Sequence, residues 1–431
     1  MRTPIVVIAL SSLLATACGS NGASSGTPAG PLADVARSPL ERERADVGAE
    51  AMAALVDGQM TFAFDLHRAA ISDEPNFFFS PVSIHIAFAM LRAGAAGNTA
   101  AELDRALRFS LAGDDLHAAI GRLDLDLNSR GEGARGTDDQ PFRLNVVNAA
   151  WGQRNYVFLD AYLDRLARWY GAGMRLLDFA GAPEPSRTTI NDWVAGKTND
   201  LIPELLPAGS IAAATRLVLT NAVYFNAAWD SQFEPRDTAP AAFTLLDGSA
   251  KNVAMMRQVT PLPVARLPGL TAVVLPYDGR EVEMLVLVPD AGAFARIEAE
   301  AGPELLAAVD AALVPTRTEL WLPSFGVSTS LDLVGPLQSL GLVDAFVAGA
   351  ADLSGINGGH DLFVSGAFHQ AVVEVDETGT EAAAATAIVV GETSVPPPPL
   401  PVHVDRPFLF LIRDVATRAV VFIGRVTDPA A

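Results

Sequence analysis

The chain has a single cysteine, Cys18, in 431 residues. An internal disulfide is therefore excluded, and so is a thiolate cluster for a metal. Positive charge is also scarce: 30 Lys and Arg stand against 50 Asp and Glu, for a net charge of −20. The basic residues form no run, so neither a nucleic acid nor a heparin-like polyanion meets the clustered cations it needs. Six histidines (His67, His85, His117, His360, His369 and His403) show no HExxH or paired spacing, and no cofactor motif accompanies them. The apolar stretch Ile5–Leu14 is too short to cross a bilayer. What the chain does have is apolar mass: half of its residues are hydrophobic, enough to bury one large core or two smaller ones.

The amino terminus reads as an export signal, with Arg2, the apolar run, and small Ala15, Thr16 and Ala17 directly before Cys18. Small residues running into a cysteine resemble the lipobox of bacterial lipoproteins. That resemblance implies removal of residues 1–17, acylation of Cys18, and a protein anchored at the cell envelope or extracellular face. Several acyl chains, at ~0.8 kcal/mol per buried methylene, anchor stably where one alone is marginal. From Gly19 to about Arg44 the chain is rich in Gly, Ser, Ala and Pro without an apolar period, which predicts a flexible tether. The expected organisation is a signal over 1–17, lipidated Cys18 and tether over 18–50, and a folded domain over 51–431.

Within that domain the spacing predicts an opening helix over Ala51–Ala70. A second helix follows, capped by Ser80, with Pro81 in its first turn, and running to Gly94. Beyond Arg143 the pattern changes to short apolar runs bounded by turn residues: 144–151, 217–225, 272–275, 284–288, 319–322, 371–375, 408–412 and 420–423. Helices alternate with these strands too irregularly for a doubly wound parallel sheet. The class is α+β, with helices packed on large mixed or antiparallel sheets.

Two short motifs fail on context. A literal GxGxxG at Gly131, Gly133 and Gly136 lies in a charged stretch, 128–141, expected to be an exposed loop; no strand precedes it and no helix follows. The GxSxG-like Gly22–Gly26 sits in the tether with no strand before it. Nothing else points to an enzyme.

The segment from Ala371 to Phe408 is peculiar as free sequence. From Thr380 to Val390 it has no Gly, no Pro and one charge, whereas surface loops are usually polar and rich in breakers. Read with period two, Thr380, Ala382, Ala384, Thr386, Ile388 and Val390 form one small or apolar face, while Glu381 falls on the other. Local propensity allows either an insertable strand or an alanine-rich helix over Glu381–Ala387. Gly379 supplies backbone freedom just upstream. Pro396–Pro399 must leave both helix and central strand.

At this point the sequence resembles the serpin family. EVDETGTEAAAAT resembles the serpin hinge, and DRPFLFLIRD with VVFIGRVTDP resembles its carboxy-terminal strand pair. NFFFSPVSIHIAFAML, GAAGNT, TNAVYFNAAWDSQF, VAMMRQ, LPSFGV and ADLSGI follow the family order over roughly Ala51–Pro429. The resemblance implies a metastable fold with an exposed reactive-centre loop at about 377–403. A serine endopeptidase cleaves this loop, which then inserts into the central sheet and traps the acyl-enzyme. No catalytic residue belongs to the inhibitor.

Carried over residue by residue, the hinge comprises Glu377, Gly379, Thr380, Glu381, Ala382, Ala383, Ala384, Ala385 and Thr386. The family count places the reactive bond at Thr393–Ser394, with Glu392 as the runner-up residue before the cut. Ser80, Ser83, Asn221 and His369 correspond to the polar shutter, and Trp229 to the breach where the loop enters. Small β-branched Thr393 suits elastase-like or subtilisin-like proteases, and the lack of Lys or Arg between Val375 and Asp405 argues against trypsin-like ones. The molecule is expected to be a monomer. The alternative is a non-inhibitory serpin acting as a binding or chaperone-like protein; such members carry charged, bulky or proline residues in the hinge, where this chain keeps Thr380 and alanines.

Overall fold

The computed structural model describes residues 34–71, 74–137, 141–380 and 397–431. Apolar residues at helical spacing build α1 (Ala49–Ala70), α2 (Pro81–Arg92), α3 (Gly97–Ala106), α4 (Gly113–Asn128), α5 (Asp160–Arg165) and α6 (Pro183–Lys197). Ser80 caps α2 as its sequence position predicts, its hydroxyl accepting from Ser83 N–H at 3.4 Å, with Pro81 where its missing N–H costs nothing. α2 is buried along almost its whole length, so its apolar residues face neighbours on every side.

The strands are β1 (Asp34–Ala36), β2 (Asn76–Phe79), β3 (Arg143–Gln153), β4 (Met174–Leu177), β5 (Leu217–Ala228), β6 (Ala239–Thr244), β7 (Ala250–Leu267) and β8 (Leu270–Pro276). They continue as β9 (Val282–Pro289), β10 (Val314–Pro323), β11 (Phe325–Asp332), β12 (Val364–Val375), β13 (Gly379–Thr380), β14 (Leu400–His403), β15 (Phe408–Asp414) and β16 (Val420–Val426). Each predicted apolar run is one of these strands. Among the described residues they form two sheets. The first has the order β1-β4-β3-β5-β12-β11, with β13 on β5; the second has the order β14-β10-β7-β8-β9-β15-β16-β2, with β6 on β7. Mixed sheets with helices packed on them make the fold α+β.

β5 is buried at every residue because it lies between two layers. On one side, α2 and the second sheet bring up Phe78, Phe88, Phe410 and Phe422. On the other, α6 covers Trp151, Val218 and Ala222 with Ile190 and Val194. A strand that turns both faces to apolar layers reads as a continuous hydrophobic run, as LVLTNAVYF does.

Two expectations change. The loop after α4 is packed rather than freely exposed: Ala134 and Thr137 are buried, and Arg135 C=O accepts from Ala228 N–H at the end of β5. Its Gly131 lies at φ 77° with Phe142 filling the space a side chain would need, which explains the glycine without any phosphate site.

Ordered structure also begins earlier than the predicted boundary near Ala51. β1 pairs antiparallel with β4, Asp34 opposite Leu176 and Ala36 opposite Met174. Downstream of β1, Arg42 donates to Asp124 at 2.5 Å and to Gly121 C=O, Arg44 pairs with Asp126, and Glu43 N–H donates to Arg168 C=O. The Gly/Pro-rich composition concealed this because the strap uses backbone pairing and ion pairs rather than an apolar period.

Reversing the two charges, Arg42→Glu with Arg44→Glu, sets carboxylate against carboxylate at Asp124 and Asp126. Partly exposed pairs of this kind are worth about 1 kcal/mol or less each. The expected result is a lower denaturation midpoint and faster hydrogen exchange along β4, with β12 unchanged.

Candidate functional site

The site lies where β5 and β12 part company. These two strands run parallel and pair from Leu217–Val364 up to Val223–Ala371. Above that point β5 continues to Ala228 and β12 to Val375 with no pairing between them. Into the top of this wedge the chain returns as β13, antiparallel to β5, with Gly379 opposite Ala228 and Thr380 opposite Ala227. The first two residues of the segment after the turn thus already occupy a strand position.

The turn that sends the chain back is built by Asp376. Its carboxylate accepts from Thr378 N–H at 2.9 Å, Thr378 O–H at 2.7 Å and Gly379 N–H at 3.2 Å, and its own N–H donates to Gly379 C=O. An aspartate bonding to backbone two residues on is the usual Asx-turn device. Glu377 accepts from Thr238 O–H at 2.7 Å through its side chain and from Phe233 N–H through its carbonyl.

Trp229 pins the same turn from the β5 side. Its indole N–H donates to Asp376 C=O at 3.0 Å and its backbone N–H to Thr378 C=O at 2.9 Å. Buried and stacked on Tyr277 at 4.5 Å, it is both core packing and a clasp on the hinge. Gly379 sits at φ 155°, and a Cβ there would lie 2.2 Å from Ala227 O and 2.9 Å from Thr137 Cγ2. Glycine is needed for space as well as for conformation.

The four predicted shutter residues converge halfway down. Register places Asn148 of β3 opposite Asn221 of β5, and Asn221 opposite His369 of β12. His369 Nε2 accepts from Ser80 N–H at 3.1 Å, so the proton sits on Nδ1 and is donated to Asn221 Oδ1. Asn221 Nδ2 donates to Ser83 Oγ and Asn148 Oδ1, and Ser83 O–H reaches Asn148 Oδ1 at 3.3 Å. Ser80 O–H donates to Val421 C=O at 2.7 Å. One buried network thus ties β3, β5 and β12 to α2 and β16.

Full burial lowers the His369 pKa from its ordinary value to about 3, because a charged imidazole here has lost its water. Burial likewise lowers His117 to about 3, His85 to about 4, and His67 in direction. Among the described residues no cluster of three or more His, Cys, Asp or Glu side chains is arranged to hold a metal, and no helix is long and apolar enough to cross a membrane.

Of the residues assigned to the hinge, Glu377 and Gly379 lie in the turn and at the first strand position, with the backbone of Thr380 next to them. Glu381, Ala382, Ala383, Ala384, Ala385, Thr386, Glu392, Thr393, Ser394 and Cys18 lie outside the described residues. Sequence reasoning missed Asp376, Thr378, Phe233, Thr137 and Asn148. Only Asp376 carried a readable signal, the Asp-x-Thr turn pattern; the others join through register between distant strands.

A family model described as Serpin (serine protease inhibitor) matches residues 57–429. The chain is 36% identical to human Serpin B3 over 88% of its own length and all of that protein. It is 38% identical to the horse (Equus caballus) leukocyte elastase inhibitor over 85% of this chain and 97% of the relative. Mouse (Mus musculus) antithrombin-III is 36% identical, with 83% of this chain and 77% of that one covered. Among solved structures, uncleaved ovalbumin superposes with a TM-score of 0.77 at 27% identity, over 87% of this chain and all of that one. Native tengpin, a thermophilic serpin, shares the fold at a TM-score of 0.80 over 91% of this chain and 99% of its own.

Two outcomes are expected. As pH falls below about 6.5, the unfolded chain takes up protons that the buried neutral histidines refuse. Stability is therefore full above about 6.5 and lost towards the folded pKa values, by up to ~1.4 kcal/mol per pH unit for each histidine. His369→Asn should reduce the slope of the unfolding midpoint between pH 6.5 and 5 by one proton. Gly379→Ala should either strain the turn or eject it, which would appear as a lower midpoint and new protease cleavage between Asp376 and Thr380.

Proposed function

The chain belongs to the serpin family, and we propose that it is an irreversible suicide-substrate inhibitor of serine endopeptidases. The observation that carries this is the wedge between β5 and β12, with Gly379 and Thr380 already at its mouth. A loop that leaves a sheet position at one end of an open slot, and whose following face is small or apolar, can continue down that slot as a strand. Protease inhibition in general agrees with the relatives named leukocyte elastase inhibitor and antithrombin-III.

The chemistry belongs to the protease. Its serine oxygen attacks the Thr393 carbonyl carbon, the bond from that carbon to the Ser394 nitrogen breaks, and the Ser394 amine departs with a proton. The protease is left esterified to Thr393. Insertion of residues from Thr380 onward then moves the ester away before water cleaves it. Continued in the β13 register, Val390 comes opposite Leu217, the last residue of β5 at that end, and Thr393 falls beyond it. The eleven steps from Ala228 to Leu217 span about 36 Å at ~3.3 Å each.

Insertion must break the ladder from Leu217–Val364 to Val223–Ala371 and with it the bond between Asn221 and His369. The shutter is therefore the gate, and the turn at Asp376 the hinge. Thr393 suits elastase-like or subtilisin-like proteases; a cut after Glu392 would imply a protease that prefers acidic residues. The protein acts as a monomer, exported and held at the cell envelope through acylated Cys18.

Incubation with elastase-like, subtilisin-like, glutamyl-specific and trypsin-like proteases tests this. The expected product is a covalent band of summed mass on denaturing gels with a cut after Thr393. Loop cleavage without adduct and without gain in thermal stability would replace trapping by a binding role.

A further inference from the structure

The strap that precedes the domain fixes where the amino-terminal segment departs. β3 runs from Arg143, opposite Asn226, to Gly152, opposite Leu217. Gly152 also faces Leu176 of β4, and Leu176 faces Asp34. Asp34 is therefore level with Leu217, the end of the sheet remote from the hinge, and Arg154 there pairs with it at 3.5 Å. From Asp34 to Ala36 the chain climbs towards the hinge, so the described chain begins at the remote end. That is also the end at which Thr393 arrives once the loop has entered the sheet.

From this coincidence we infer that residues 18–33 are a spacer that leaves room for the trapped protease between the domain and its membrane. The inference rests on the proposed trapping and on attachment through Cys18. Sixteen Cα steps separate Cys18 from Asp34, at most about 53 Å of extended chain. A protease domain of roughly 230 residues is about 45 Å across, from the size scaling of compact domains. Drawn out towards its full length, the spacer can clear such a body. A spacer of four residues, at most about 13 Å, does not.

Bait and anchor leave from opposite ends. A protease therefore meets the loop on the side away from the membrane, and crowding begins only after cleavage, when the ester is carried down. A short spacer should leave the first cut alone and hinder the insertion that follows, giving deacylation time to win.

The test uses the chain from Cys18 onward, coupled by its thiol to maleimide-lipid vesicles, so that natural acylation is not required. Three versions are compared: full length, deletion of residues 20–31, and the same twelve positions replaced by a length-matched Gly/Ser sequence. Each is measured free and on vesicles with a protease that forms an adduct in solution. All three should trap alike in solution, and be cut at equal rates in both settings. On vesicles the deletion should yield several-fold more cleaved inhibitor per adduct, while the length-matched version behaves as full length. Equal partition for the deletion on vesicles and in solution overturns the inference. So does failure of the length-matched version, or a slowed first cut, which would place the loop on the membrane side. Absence of adduct from every version in solution removes the trapping reading and this inference with it. Absence of acyl mass on Cys18 of exported protein removes the lipid anchor and this inference with it, and leaves the trapping reading standing.

Discussion

The parallel ladder between β5 and β12 is the constraint on which the rest of this structure depends. It closes the centre of the first sheet from Leu217 to Val223 and leaves it open above. Parallel pairing is slightly weaker per residue than antiparallel, and an unpaired wedge at one end offers a place from which the two strands can be separated. The antiparallel alternative, a strand inserted between them, would add partners to both edges. The native arrangement is held by the cost of opening the lower interval, and that cost is concentrated at one buried polar network.

That network joins Asn221 to His369 across the seam, and to Ser80, Ser83 and Asn148 on the layers around it. Buried polar groups without partners are expensive, so the two strands cannot part until each group finds a replacement. Under the proposed insertion, an arriving strand would supply backbone partners as it removes side-chain ones. Neutral His369 is part of the design: with Nε2 accepting and Nδ1 donating it satisfies both neighbours, and protonation would set a donor against the Ser80 N–H.

The two ends of the slot have different roles. At the hinge, Asp376, Trp229 and Gly379 shape a turn that already commits two residues to the sheet. At the remote end, β1 sets Asp34 level with Leu217. Both arrangements follow from edge positions: β13 uses the unpaired flank of β5, and β1 uses the free edge of β4, which would otherwise expose its backbone groups.

Much of this was legible beforehand because it is local. Apolar runs of four to nine residues and the Ser80 cap declare themselves within a few neighbours, and the resemblance to serpins singled out His369, Asn221 and Trp229. The strap was not legible, since Asp34–Ala36 has no period and Arg42 and Arg44 find carboxylates on a helix about eighty residues away. Nor was Asn148, which joins the shutter only because β3 pairs with β5 at that register. The sequence by itself determined which apolar runs form strands and where α2 is capped, for these depend on short-range sterics and hydrophobic pattern. Only the tertiary structure decided how far the sheet is zipped, which polar groups meet at the seam, and at which end of the sheet Asp34 lies, because register between strands distant in sequence is fixed by the packed layers on either side.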